Sequence, residues 1–372
     1  MRSLSALPIL LVLVLFFFVC APVSAEETLQ QTTTTLLWEE YISPQMYAVE
    51  ISGDGTVVAG AGEQGVKVIA EDGSALWMAE IPSAREIALS EDASRILAGG
   101  IDLQLFDQTG TLIWKNSTGY FVLSDAISPA GDQAYSAWDD STVLRYNMTD
   151  MTRYDTGIDT DLVCMEVTDN GHYIVGGTLT GELMLWDMQG NVKWTRTCPG
   201  EKAVQDIALS SGGSLVAYTI DDQVYLINRA GRTLWNAPLS HASGVSMSAD
   251  GSCIAVAGAN GISLFDRKGT LINSMQNGHE MIGVSLSDDG TKCAACDQKN
   301  AFLYLLTTGA SETGAVPQEA GETQNQQKFS EDNLSQQTVP TLPVASGDGI
   351  FSVLCIIGSV LATVLFCAKE RQ

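Results

Sequence analysis

Histidine and basic charge are what this sequence has least of. Three histidines in 372 residues, His172, His241 and His279, are too scattered to form a metal set at ligand spacing or a base beside a nucleophile motif. Lys and Arg number 19 against 44 Asp and Glu, which leaves a net charge of −25. That balance excludes nucleic acid as a partner, because phosphate binding needs a basic surface; cations, basic proteins and basic envelope polymers stay open. Charged residues are only 17% of the chain beside 35 glycines, a composition that suits short strands and tight turns rather than helices. Cysteine is sparse too. Cys20 falls in an amino-terminal leader and Cys355 and Cys367 in a terminal apolar run. Cys164, Cys198, Cys253, Cys293 and Cys296 remain, an odd set that argues against a full disulfide framework and leaves a Cys164–Cys198 bridge open. Cys293-Ala-Ala-Cys296 has redox-motif spacing, but on a strand residues three apart point to opposite faces, so packing is the expected role.

What is present is a repeat. In VEISGDGTVVAGAGEQGVKVIAEDGSALW (49–77), apolar alternation runs into Ser52-Gly-Asp-Gly55, then a second strand, a glycine-rich bend, a third strand, a turn at Asp72-Gly73 and a fourth strand ending in Trp77. The opening Ser or Thr recurs at 52, 90, 128, 168, 210, 248 and 287, with gaps of 38, 38, 40, 42, 38 and 39. The second turn recurs at Asp107–Gly110, Asp187–Gly190, Asn228–Gly231 and Asp266–Gly269, and the closing Trp at 114, 194 and 235; the third unit lacks it and the sixth has Asn273. Four short antiparallel strands form one propeller blade, which cannot bury both faces alone, so seven units predict an all-β, seven-bladed β-propeller over residues 36–306. The seventh unit stops after its third strand, and Leu36-Leu37-Trp38 lies 14 residues before Ser52, as Trp114 lies 14 before Ser128. The amino-terminal strand is therefore expected to complete blade seven and close the ring.

The flanks differ in kind. Residues 1–25 have Arg2, an apolar run and Val23-Ser24-Ala25 before a cleavage point, the pattern of a signal peptide, with a retained signal anchor as the rival reading. Residues 26–35 form a short polar lead. Residues 307–348 are rich in Ser, Thr, Gln and Pro and are expected to be a disordered stalk. Gly349 to Ala368 has the length and apolarity of a transmembrane helix, and Lys369 and Arg371 in the tail 369–372 place that end in the cytoplasm and the propeller outside, on the cell membrane; a processed GPI-type tail is the alternative.

Candidate sites lie on loops. The bend twelve residues after each opening Ser carries Asp102, Asp140, Asp222 and Asn260, with Thr180 in blade four; these are good turn residues, and an acidic ring for a cation or basic ligand if they converge. The links between blades vary in chemistry, so Tyr120 and Trp138, with Asp139 and Asp140 beside them, are the expected partner-binding anchors. The Trp series reads as inter-blade packing. Asn116, Asn147 and Asn333 stand in Asn-x-Ser/Thr sequons and are candidate glycan acceptors. No catalytic residue, metal site or cofactor is expected.

LFDQTGTLIW (105–114) and LINRAGRTLW (226–235) resemble the quinoprotein (PQQ)-type repeat, while SADGSCIAVAG (248–258) and LMLWD (183–187) resemble WD40 repeats. In architecture the chain is similar to archaeal cell-surface propeller proteins. Gly278-His279 with Asp297 approaches the WD40 pairing of a Gly-His with a later Asp. The adjacent-cysteine disulfide and clustered Ca²⁺ site of quinone dehydrogenases are not matched. These resemblances specify fold more than function. The expected function is a membrane-anchored, extracytoplasmic binding scaffold for a protein or envelope component. A quinone-dependent dehydrogenase or other propeller enzyme is the first alternative, favoured by convergent carboxylates in the channel; a structural surface protein without a ligand is the second.

Overall fold

A computed structural model describes residues 32–308 except residue 201, and within that span every regular element is a β-strand. The expected signal peptide, stalk, membrane helix, tail and Asn333 lie outside the described residues. Twenty-eight strands make seven four-stranded antiparallel sheets. The innermost strands are Met46–Ile51, Glu86–Leu89, Val122–Ile127, Leu162–Val167, Asp206–Leu209, Val245–Met247 and Gly283–Leu286, one to a blade.

The repeated Ser or Thr sits where each innermost strand turns back. All seven are at most 3% exposed. Each Oγ accepts a hydrogen bond from the backbone N–H five residues on, at 3.0–3.1 Å, from Val57 in blade one to Lys292 in blade seven. A buried donor that the turn would otherwise orphan is thereby satisfied. The third residue after it needs positive φ and is Gly in six blades, while blade two uses Ala93 at φ 52°.

The ring closes as the sequence predicts. Thr32–Tyr41 pairs antiparallel with Asn300–Thr308, from Thr32 opposite Thr308 to Tyr41 opposite Asn300, so the fourth strand of blade seven comes from the start of the chain. Lys292 reinforces this junction: its Nζ donates to Gly55 O at 2.9 Å and pairs with Glu71 at 2.7 Å, both in blade one.

Seven separate apolar clusters fill the seven gaps between adjacent blades, such as Val66, Val68, Ile87, Ile96 and Phe106 between blades one and two. Two further devices bind blade to blade. On the outside, the closing tryptophan reaches the next blade's second turn. The indole N–H of Trp38, Trp77, Trp194 and Trp235 donates to the carbonyl of Glu71, Gln108, Arg229 and Arg267, at 2.9, 3.1, 2.7 and 2.9 Å. Trp114 instead packs edge-on against Tyr146, 5.0 Å between centroids. At the end of the ring where the innermost strands turn back, the residue after the opening Ser or Thr, or in blade one the next residue, bonds by its backbone to the following blade in six of the seven blades. Glu91 N–H donates to Pro129 O, Asp169 to Ser211, Ser211 to Ala249, Ala249 to Asp288, Asp288 to Gly53 and Asp54 to Glu91, at 2.8–3.4 Å.

Both devices fail at one place. Pro129 has no N–H to give Asp169, and blade three has no tryptophan to place over the turn of blade four. There the Thr156 carbonyl lies against Gly190, so closely that a Cβ on Gly190 would come within 2.0 Å of it. The buried Tyr135 hydroxyl bridges the same junction, donating to Gly171 O at 3.0 Å.

Candidate functional site

Along an innermost strand the side chains alternate between the two neighbouring blades, and those nearest the axis border a central cavity of about 320 Å³. Its wall holds eight carboxylates, Glu50, Glu86, Glu91, Asp125, Glu166, Asp169, Asp206 and Asp288, and no Lys, Arg or His. They fall into two tiers. Glu50, Glu86, Asp125, Glu166 and Asp206 lie on the innermost strands of blades one to five. Glu91, Asp169 and Asp288 follow the opening Ser or Thr and mark the turn-side mouth. Ile51, Leu89, Ile127 and Val167 separate the tiers.

The upper tier is partly satisfied by the protein itself. Asp206 accepts the Val245 N–H of the next blade and the Ile207 N–H, both at 2.8 Å. Ser246 and Ser285 occupy the place that Glu50 and Glu166 hold in their own blades, and their hydroxyls accept the N–H of Leu286 and Ile51. Asp125 is the exception. It is 8% exposed, its carboxylate rests where a Cβ on Gly99 would lie 2.9 Å away, and neither oxygen has a hydrogen-bond partner. Such a group is costly to bury.

Burial and mutual repulsion push this tier's carboxyls upward. Glu166 rises to about 8 through burial and then Asp206. Asp206 rises to about 7 through burial, which its two backbone donors only partly offset. Glu50, Glu86 and Asp125 are raised for the same first reason, with Glu166, Asp125 and Glu50 respectively as the strongest charged neighbour. At the mouth, Asp288 is raised by burial and by Glu91 and Asp169. A half-open chamber lined by acidic groups draws in cations. Among the described residues no three His, Cys, Asp or Glu side chains converge closely enough to hold a metal ion.

The residues singled out on the loops are placed differently. Asp102 is locked within its own blade, to Lys115 at 2.6 Å and Ser117 at 2.5 Å, and these two partners draw its carboxyl down against the effect of partial burial. Asp140 caps Thr142, Asp222 accepts the His241 N–H at 2.7 Å, and Asn260 sits in an exposed turn. None of the four lines the channel. Tyr120 is 39% exposed, and Asp139 holds the same link by accepting the Phe121 N–H at 2.9 Å.

Trp138 corrects the sequence reading. It is 1% exposed inside the cluster between blades two and three, and its indole donates to Ser136 Oγ at 2.7 Å. It ends the second strand, Gln133–Trp138, where pleat alternation still points it inward. Treating the position as bend rather than strand put the side chain outside.

Asn116 and Asn147 are half-buried in strands; the Asn116 amide donates to Tyr146 Oη at 3.1 Å. Cys293 and Cys296 belong to clusters on opposite faces of their sheet, and the five described cysteines are unbridged. His279 does pair with Asp297, Nδ1 to Oδ2 at 2.7 Å, and His241 with Glu280 at 2.9 Å, in neighbouring links. The channel carboxylates were missed because they were sought on loops. Their signal was present: Glu50, Glu86, Asp125, Glu166 and Asp206 interrupt apolar strands two to four residues before the opening Ser or Thr.

A family model described as outer membrane protein assembly factor BamB matches residues 101–362. No curated protein matches the chain.

Proposed function

Because the chain belongs to the family described as outer membrane protein assembly factor BamB, we propose that it is a non-catalytic scaffold, anchored in the cell membrane and displayed outside the cytoplasm. It takes up a protein or envelope component on the face formed by the bends and blade-to-blade links. The observation that carries this reading is the contrast between the two ends of the ring. The turn end repeats one set of hydroxyl and backbone bonds from blade to blade. The link end differs in every blade and presents an exposed Tyr120. Variable loops on a rigid frame are where recognition resides. The run Gly349 to Ala368 followed by Lys369 and Arg371 supports the anchor and its orientation; the family description supports a protein partner.

A propeller hydrolase using the channel carboxylates would need a group that stabilises developing negative charge, and no Lys, Arg or His lines the channel. Glycan attachment at Asn116, Asn147 and Asn333 fits the same outside location.

Affinity capture on native envelopes tests the reading. With the purified propeller as bait, Tyr120→Ala should lose the partner by tenfold or more, while Asp72→Asn, on the opposite end, should retain it. Both variants should melt within a few degrees of the parent, since exposed substitutions cost under about 0.5 kcal/mol. Equal capture by both would remove the link face from consideration.

A further inference from the structure

The channel has a ligand chemistry of its own, independent of whether a protein docks on the link face. We propose that it is a binding site for a linear aliphatic polyamine, held with its ammonium groups at the two carboxylate tiers.

Three observations converge. The wall carries eight carboxylates and no basic residue, and among the described residues the one cation close behind it, Arg85 over the Tyr47 ring, offsets part of the charge of Glu86 alone. Asp125, more than nine-tenths buried on that wall, leaves both oxygens unpartnered. Its position in the strand aims it at blade two, whose Glu86 is turned toward blade three, so the two carboxylates flank one junction beside the cavity. A buried donor-less carboxylate must take up a proton or meet a donor from outside if it is not to be costly.

The spacing of charge selects the kind of donor. A single small metal ion needs several oxygens converging at about 2.0–2.6 Å, and no such group of three exists among the described residues. The carboxylates are instead spread over five consecutive blades and then, past Ile51, Leu89, Ile127 and Val167, over a second tier. Glu166 lies in the innermost strand of blade four and Asp169 in the turn just beyond its end, with Val167 between the two tiers. Acid tier, apolar collar, acid tier is the complement of a chain that alternates ammonium groups with methylene segments. Each ammonium brings up to three donors, and it is the unpartnered Asp125 that has most to gain.

Titration calorimetry of spermidine into the full-length protein in detergent tests this. One site per chain is expected, weakened at least tenfold by Asp125→Asn or Glu86→Gln and unchanged by Asp72→Asn, which removes a charge from the outer turn. Both channel variants relieve repulsion and keep their side-chain shape, so they should fold; their melting temperatures are measured alongside, and spermidine should raise that of the parent and not theirs. Many weak sites insensitive to Asp125→Asn would show ordinary attraction to an acidic surface and overturn the proposal. So would Ca²⁺ binding one site more tightly than spermidine and displacing it.

Discussion

A glycine in the second turn of a blade is a contact residue once the neighbouring blade lays an indole across it. Gly110 has φ +82°, and a Cβ there would lie 2.7 Å from the Trp77 ring, whose N–H holds Gln108 O at 3.1 Å. Gly110→Ala therefore meets two costs: about 1–2 kcal/mol for a left-handed alanine and about 1 kcal/mol for a displaced hydrogen bond. Gly119, at φ +85°, has nothing within 4 Å, so Gly119→Ala meets only the first. Denaturant midpoints should rank them in that order, with Gly110→Ala the worse by about 1 kcal/mol. Equal losses would mean that the indole does not clasp the turn.

At the scale of an element, the strand Thr32–Tyr41 is distinctive because its partner, Asn300–Thr308, lies at the far end of the described chain, whereas the outer strand of each of the other blades pairs with the strand just before it. It brings Trp38 over the turn of blade one and Glu40 to Lys67 at 2.5 Å. Deleting residues 26–41 should lower the melting temperature by well over 10 °C or abolish the cooperative transition, whereas deleting 311–345 should leave it within a few degrees. Calorimetry on the two truncations decides the matter, and similar losses would sink the account of closure. This strand is legible in the sequence, since the spacing from Trp38 to Ser52 repeats that from Trp114 to Ser128. Repetition made the blades legible in the same way: Ser, Gly and Trp each perform one task in nearly every unit, so their spacing is the fold. The channel was not legible by that route. Its carboxylates occupy different offsets in different blades, Glu50 and Glu166 at one, Glu86 and Asp206 at another, Asp125 between them. Only the closing of the ring brings them together. Trp138 failed for the opposite reason, because the last residue of a strand has the same sequence signature as the first one beyond it.

For the whole molecule, charge is arranged by depth. The exposed turn carboxylates Asp72, Asp107 and Asp150 are drawn below the ordinary range chiefly by hydrogen bonds from Ser74, Thr109 and Thr152. Their contribution to stability is present above the unfolded carboxylate range and lost on acidification through it. The channel carboxylates have the reverse sign. With folded values raised, to about 8 for Glu166 and about 7 for Asp206, they favour the folded state when protonated, and that stabilisation is lost as pH rises through those values. Without polyamine, the melting temperature should fall by several degrees from about pH 5.5 to about pH 8.5, and Glu166→Gln should flatten the decline. A melting temperature that climbs over that interval would contradict the assignment. Closure also has a bearing on time. Of the described strands, the one that leaves the ribosome first has its only partner in the one that leaves last. Six blades can form as hairpins next to one another while Thr32–Tyr41 waits through some 260 residues of synthesis, an interval set by a contact order no local sequence preference can shorten. Until the seventh blade arrives, the backbone donors and acceptors of Thr32–Tyr41 have no strand to pair with and must be held by water.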